Sequence, residues 1–156
     1  MMDLGEFALK LAAVAVAQHT TLERGLDAAA RVVQQAARDK IGHYQDESAP
    51  FPGWAPLKLT TIAERIRLGY TPNDPLLRDG TLRASIVRET HGLEAVIGSK
   101  MPIAAYQEFG TSRIPPRPFI GPAALENRDE ILRLAGRAMM AGLGFGAGPS
   151  YDAVAE

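Results

Sequence analysis

Apolar residues recur at helical spacing over the first quarter of the chain. Leu4, Leu11, Val14, Leu22, Leu26, Ala29, Val33, Ala36 and Ala37 fall near a 3.6-residue period. No proline interrupts residues 4–42, and good helix formers (Ala, Leu, Gln, Arg, Glu) dominate there. The pattern predicts helix over 4–42, with Thr20-Thr21 or Gly25 as the places to bend. Two arrangements satisfy it. One is a single long helix lying across a sheet and reaching towards a neighbour; the other is two helices folded as a hairpin. The pattern then stops. Pro50, Pro52, Gly53 and Pro56 surround Phe51 and Trp54, so 43–58 reads as a loop whose tryptophan plugs the core. Thr60 is placed to cap a short helix that ends at Leu68 before Gly69, with Arg65 and Arg67 marking its exposed side. Thr71 to Pro75 is a turn.

Beyond the Asp79-Gly80 turn the period shortens to about two residues. Leu82 to Thr90 reads as a strand, His91-Gly92 as a hairpin turn, and Leu93 to Ile97 as a second strand closed by Gly98. Ile103 to Phe109 reads as a short helical turn, and Gly110 sits where a left-handed cap would end it. Thr111 to Pro118 (TSRIPPRP) carries prolines at 115, 116 and 118. They fix φ and push the residues before them towards extended geometry, so a stiff arm is predicted, anchored by Phe119-Ile120. Pro122 suits the first position of a last helix running to about Met140. Glu126, Asp129 and Glu130 come early in it, Arg133 and Arg137 late, and Leu125, Ile131, Leu132, Ala135 and Met139 form its apolar face. Residues 142–156 are Gly-rich and aperiodic, and a flexible tail is expected there. The prediction is an α+β fold, one domain over 1–141. A long N-terminal helix and a C-terminal helix pack on a small antiparallel β-sheet, with an extended Pro-rich arm.

Composition narrows the chemistry. The chain has 156 residues, 46% hydrophobic and 22% charged, ordinary for one globular domain with a core. A net charge of −1 does not suit a general polyanion binder, which weighs against DNA contact by Arg31, Arg38, Arg65 and Arg67. The absence of cysteine excludes disulfides and thiolate chemistry. Phe7 to Ala17 is apolar, but Asp3 and Glu6 precede it and Lys10 interrupts it, against the pattern of a secretion signal. It is also too short to span a bilayer. His19, His43 and His91 lie in separate elements, without metal-ligand spacing. There is no dinucleotide or P-loop glycine motif, and Ser85, Ser99 and Ser112 lack a nucleophile elbow. Glu94 and Glu108 could pair as acid and base only in principle, since solvated strand and helix positions account for both. Neither catalysis, nor a cofactor, nor a metal is expected. Arg113 and Arg117 flank the double proline. They suit bidentate pairing with a carboxylate such as Glu108 of a neighbouring subunit, or simply a solvated loop.

Several short motifs occur in order: Trp54-Ala55-Pro56-Leu57 with Thr60, Leu76 to Ile86 (LLRDGTLRASI), Val96-Ile97-Gly98-Ser99, Tyr106 to Thr111 (YQEFGT) and Pro116 to Ala123 (PRPFIGPA). The ordered set, over about residues 54–125, resembles the tail-completion and head–tail joining (neck, virion-morphogenesis) proteins of long-tailed bacteriophages. The Ala-rich first helix is similar too, while the double proline and the Gly-rich tail depart from the pattern. The resemblance implies a structural protein without catalysis. It implies a ring homo-oligomer, usually a hexamer, that connects the tail tube to the head connector or adaptor, with DNA passing through the bore. The location it implies is the virion neck, after assembly in the host cytoplasm; gene-transfer agents and prophages use the same parts. The residues expected at subunit contacts are Glu108, Phe109, Gly110, Arg113, Arg117 and Phe119. A prophage-encoded binding module or regulator is the alternative, and a small hydrolase with a cryptic site a more distant one.

Overall fold

The structure, a computed structural model, describes residues 3–145. Helix α1 runs unbroken over Leu4–Lys40, about 55 Å long, rather than folding back as two helices in a hairpin. The Thr20 and Thr21 hydroxyls do not break it, because they donate to the Val16 and Ala17 carbonyls of the preceding turn. There follow α2 (Leu59–Arg67), α3 (Thr81–Ala84), β1 (Ile86–His91), β2 (Glu94–Ser99), α4 (Pro102–Phe109), α5 (Ile120–Glu126) and α6 (Arg128–Gly142). The two strands form one small antiparallel sheet. The fold is α+β, with long helices at both ends of the chain.

The chain divides into two compact units. One takes in α1 as far as Val32, Glu89–Val96 and the chain from Arg128; the other comprises Val33–Arg88 and Ile97–Asn127. In the first, Ala28 and Ala29 of α1 meet Leu134 of α6, with Val32 and Ile131 packed against them. Alanines on α1 let the two helices approach closely. The hairpin end is tied to the same helix: Thr90 donates to Asp27 and the Gly92 N–H to Glu23. In the second unit the fully buried side chains include Phe119, Ile41 and Ile86. Gln34 and Arg38 both donate to the Ile86 carbonyl, at 2.8 and 2.7 Å, and fix the start of β1.

Several elements differ from the sequence reading. Thr60 lies inside α2 rather than at its cap; Lys58 holds the cap position and makes no side-chain cap bond. The segment after Gly80 first makes the short helix α3, so β1 begins at Ile86 rather than Leu82. The hairpin turn is Gly92-Leu93, one residue later than expected, with Gly92 at φ +59°. The last helix is two helices broken at Asn127, and Pro122 is the third residue of α5 rather than its first. That break resets the helical phase. The buried residues of α6 are therefore Leu134 and Ala138, while Leu132 and Met139 stay exposed. A Schellman turn closes α6: Phe145 N–H donates to the Met140 carbonyl and Gly144 N–H to that of Ala141. The rest of the tail, 146–156, lies outside the described residues.

Candidate functional site

The arm and the elements beneath it form the most elaborate polar arrangement of the second unit. Helix α4 ends on Gly110, whose φ of 75° and ψ of 173° belong to a region open essentially to glycine alone. The expected cap is thus a positive-φ glycine, but with extended rather than helical ψ. A Cβ there would sit 3.0 Å from the Pro116 ring and backbone. The chain then turns tightly. The Thr111 N–H donates to the Ile114 carbonyl, and the Thr111 hydroxyl accepts the N–H groups of Arg113 and Ile114. It returns to α4 through Arg117 N–H, which donates to the Gln107 carbonyl at 2.6 Å.

The return is clamped from three sides. The Glu108 carboxylate accepts the N–H groups of Phe119 and Ile120 on one oxygen, at 2.8 and 3.0 Å, and that of Gly121 on the other, at 2.8 Å. These are first-turn amides of α5, which no intrahelical carbonyl can satisfy, and they carry the positive end of the helix dipole. The Arg117 guanidinium makes two bonds, from Nε and Nη2, to the Ala55 carbonyl. Trp54 Nε1–H donates to the Pro118 carbonyl at 3.0 Å, and its indole is buried as the sequence suggests. Phe119 is 0% exposed. Gly121 lets the chain pass close to Phe51: a Cβ would lie 2.7 Å from its ring.

Of the residues expected at subunit contacts, Glu108, Arg117 and Phe119 thus hold the arm to its own unit, and Gly110 permits its turn. Phe109, 81% exposed, and Arg113, also exposed, remain on the surface. Sequence reasoning missed Arg65. Placed on the exposed side of α2, it is instead 8% exposed, and its Nη1 donates to the Asp74 carbonyl at 2.7 Å. The signal available was the proline-rich turn after α2, which folds its carbonyls back over the helix.

Arg65 and Arg117 line one groove of about 710 Å³, together with Lys58, Arg78 and Arg113. Its apolar floor includes Leu57, Leu76, Leu82 and Ile103. Leu76 has φ +62°, a left-handed backbone that costs a side-chain-bearing residue about 1 kcal/mol or more. Asp79 is the groove's carboxylate, and it accepts both the N–H and the hydroxyl of Thr81 at the start of α3. The Thr81 hydroxyl, then its N–H, hold the Asp79 carboxyl below the ordinary aspartate value of 3.8. A group whose folded pKa is depressed supports the fold above its unfolded pKa and loses that support as pH falls through the folded value. Carboxyl NMR should therefore place the Asp79 midpoint below 3.8, and Thr81→Val should move it back towards that value.

No protein-family model, curated protein or solved structure matches the chain. Among the described residues, no group of three or more His, Asp or Glu side chains is placed to hold a metal, and no helix is long and apolar enough to cross a membrane.

Proposed function

We propose that the chain is a structural component of the neck of a phage or phage-like particle. It assembles there as a ring and joins the tail tube to the head connector. The observation that carries this reading is the N-terminal part of α1. Leu4, Phe7, Leu9, Leu11, Val14 and Val16 are between 48% and 82% exposed, on a helix whose later turns bury Ala28, Ala29, Ala30, Val33 and Ala37. Apolar residues so closely spaced and so exposed suit burial against other subunits. The ordered motifs from Trp54 to Ala123, and the arm they build, support the same reading.

Size-exclusion chromatography with light scattering, and negative-stain microscopy with and without tail tubes, test it. Rings, or density capping tube ends, are expected. Leu9→Glu combined with Val16→Glu, two exposed residues seven apart on one helix face, should abolish assembly and leave the monomer folded by circular dichroism. A chain that stays monomeric at all concentrations and binds neither tubes nor connectors overturns the proposal.

A further inference from the structure

Arg65 and Arg117 are 8% and 6% exposed, and arginine is rarely buried so deeply without an acid beside it. Among the described residues no carboxylate lies within ion-pair distance of either, nor of Lys58 or Arg113 on the same groove. Backbone carbonyls take some of their N–H groups: Ala55 for Arg117, Asp74 and Thr71 for Arg65. The other guanidinium N–H groups have no acceptor among the described residues and, since none of them is fully buried, they reach solvent at the groove. Burial lowers the pKa of Arg117, and the neighbouring Arg65 charge lowers it further, against the opposing influence of Tyr44. Two buried like charges in contact with each other's field, without a counter-ion, are costly to keep. The groove's only acid, Asp79, is engaged by Thr81, and Arg78 is stacked over the Tyr70 ring at 4.9 Å. A chain of net charge −1 has therefore concentrated five cations against one acid around an apolar floor.

We propose that this groove binds an extended acidic segment of a partner protein, whose aspartate or glutamate carboxylate meets Arg65 and Arg117 and whose apolar side chains rest on Leu57, Leu76 and Ile103. Planar guanidinium groups match carboxylate oxygens two at a time. The apolar floor suits side chains flanking the acid better than it suits a phosphodiester backbone. Lys58 and Arg113, both exposed at the groove, add longer-range attraction and a dependence on salt. This proposal does not rest on the neck reading, since the groove belongs to the folded monomer whatever particle contains it.

The test uses the full chain, 15N-labelled, and the capped peptide acetyl-Gly-Leu-Glu-Val-Glu-Leu-Glu-Gly-amide. Saturable shifts are expected at residues 55–58, 76–82 and 113–117. The same peptide with glutamine in place of glutamate should bind about tenfold more weakly or worse. Arg117→Gln should abolish binding. Because that residue also braces the arm, the double variant Lys58→Gln with Arg113→Gln, at exposed positions, provides a second measure. It should weaken binding severalfold and flatten the salt dependence while the spectrum stays that of the folded protein. Equal affinity for the glutamine peptide, tighter binding of an eight-nucleotide oligothymidylate or of inorganic phosphate, or no saturable shift at millimolar peptide would each overturn the proposal.

Discussion

Phe119→Ala is expected to destabilise the second unit by about 3–5 kcal/mol, measured as a fall in the urea midpoint with an unchanged slope. The ring is 0% exposed and is the largest of the fully buried side chains. Its removal loses the transfer energy of the aromatic ring and also leaves a cavity. That cavity cannot close easily. The residue's backbone N–H is held by Glu108, the carbonyl of Pro118 before it is held by Trp54, and Pro122 stiffens the helix after it. A site pinned on both sides relaxes little, which places the expected loss towards the upper part of the range. A loss below about 1 kcal/mol would mean that the ring does not pack as described.

The second large effect is expected from Glu108→Ala, at about 3 kcal/mol. It strands three first-turn amides of α5 at once, and a partly buried donor without a partner costs about 1–3 kcal/mol. The site is only half-buried, so water recovers part of the loss and the three do not add in full. Glu108→Gln should rescue little. Its amide keeps one acceptor oxygen, serving either Phe119 and Ile120 or Gly121, and turns an N–H₂ donor towards the remaining amides. Because Glu108 holds the backbone N–H of Phe119, which an alanine at 119 keeps, the two residues couple through the placement of that backbone, and the double alanine variant should be less destabilised than the sum of the singles. A coupling of about 0.5–3 kcal/mol is expected, and strict additivity would show that the carboxylate does not act through the Phe119 position.

These two residues mark the limit of what the sequence made legible. The helix over 4–42, the hairpin, the turn at Gly110 and the tryptophan plug could be read because each depends on local propensity, period or a glycine. The Glu108 clamp could not, since its partners lie 11 to 13 residues away and no pattern couples them. One hint existed: nothing of the Ser, Thr, Asp or Asn type stands before Ile120 to cap α5, so the acceptor had to come from elsewhere. The apolar face of the last helix was misplaced because a single continuous period was carried through Asn127. There the side chain donates to the Ala123 carbonyl and the helix restarts. Arg65 looked solvated because amphipathic patterning describes a helix in isolation and knows nothing of the loop carbonyls folded onto it. The apolar residues near the start of α1 were periodic, but period alone does not say whether the surface they make is covered by the same chain.

The clamp at the base of the arm has a consequence for how this protein can vary. Glu108, Gln107 and Trp54 fasten the segment where it leaves α4 and where it enters α5, and the turn from Thr111 to Pro116 hangs from that fastening, mostly in solvent. Doubling the length of such a loop costs only about 0.6 kcal/mol in closure entropy. The side chains of Arg113 and Ile114, whose bonds to Thr111 are made by backbone groups, can therefore be exchanged with little effect on folding and a direct effect on the groove they border. Apart from Arg117, which serves both, folding and recognition are carried by different residues of the same arm, so a lineage could tune its partner at the groove's edge without rebuilding the protein that holds it.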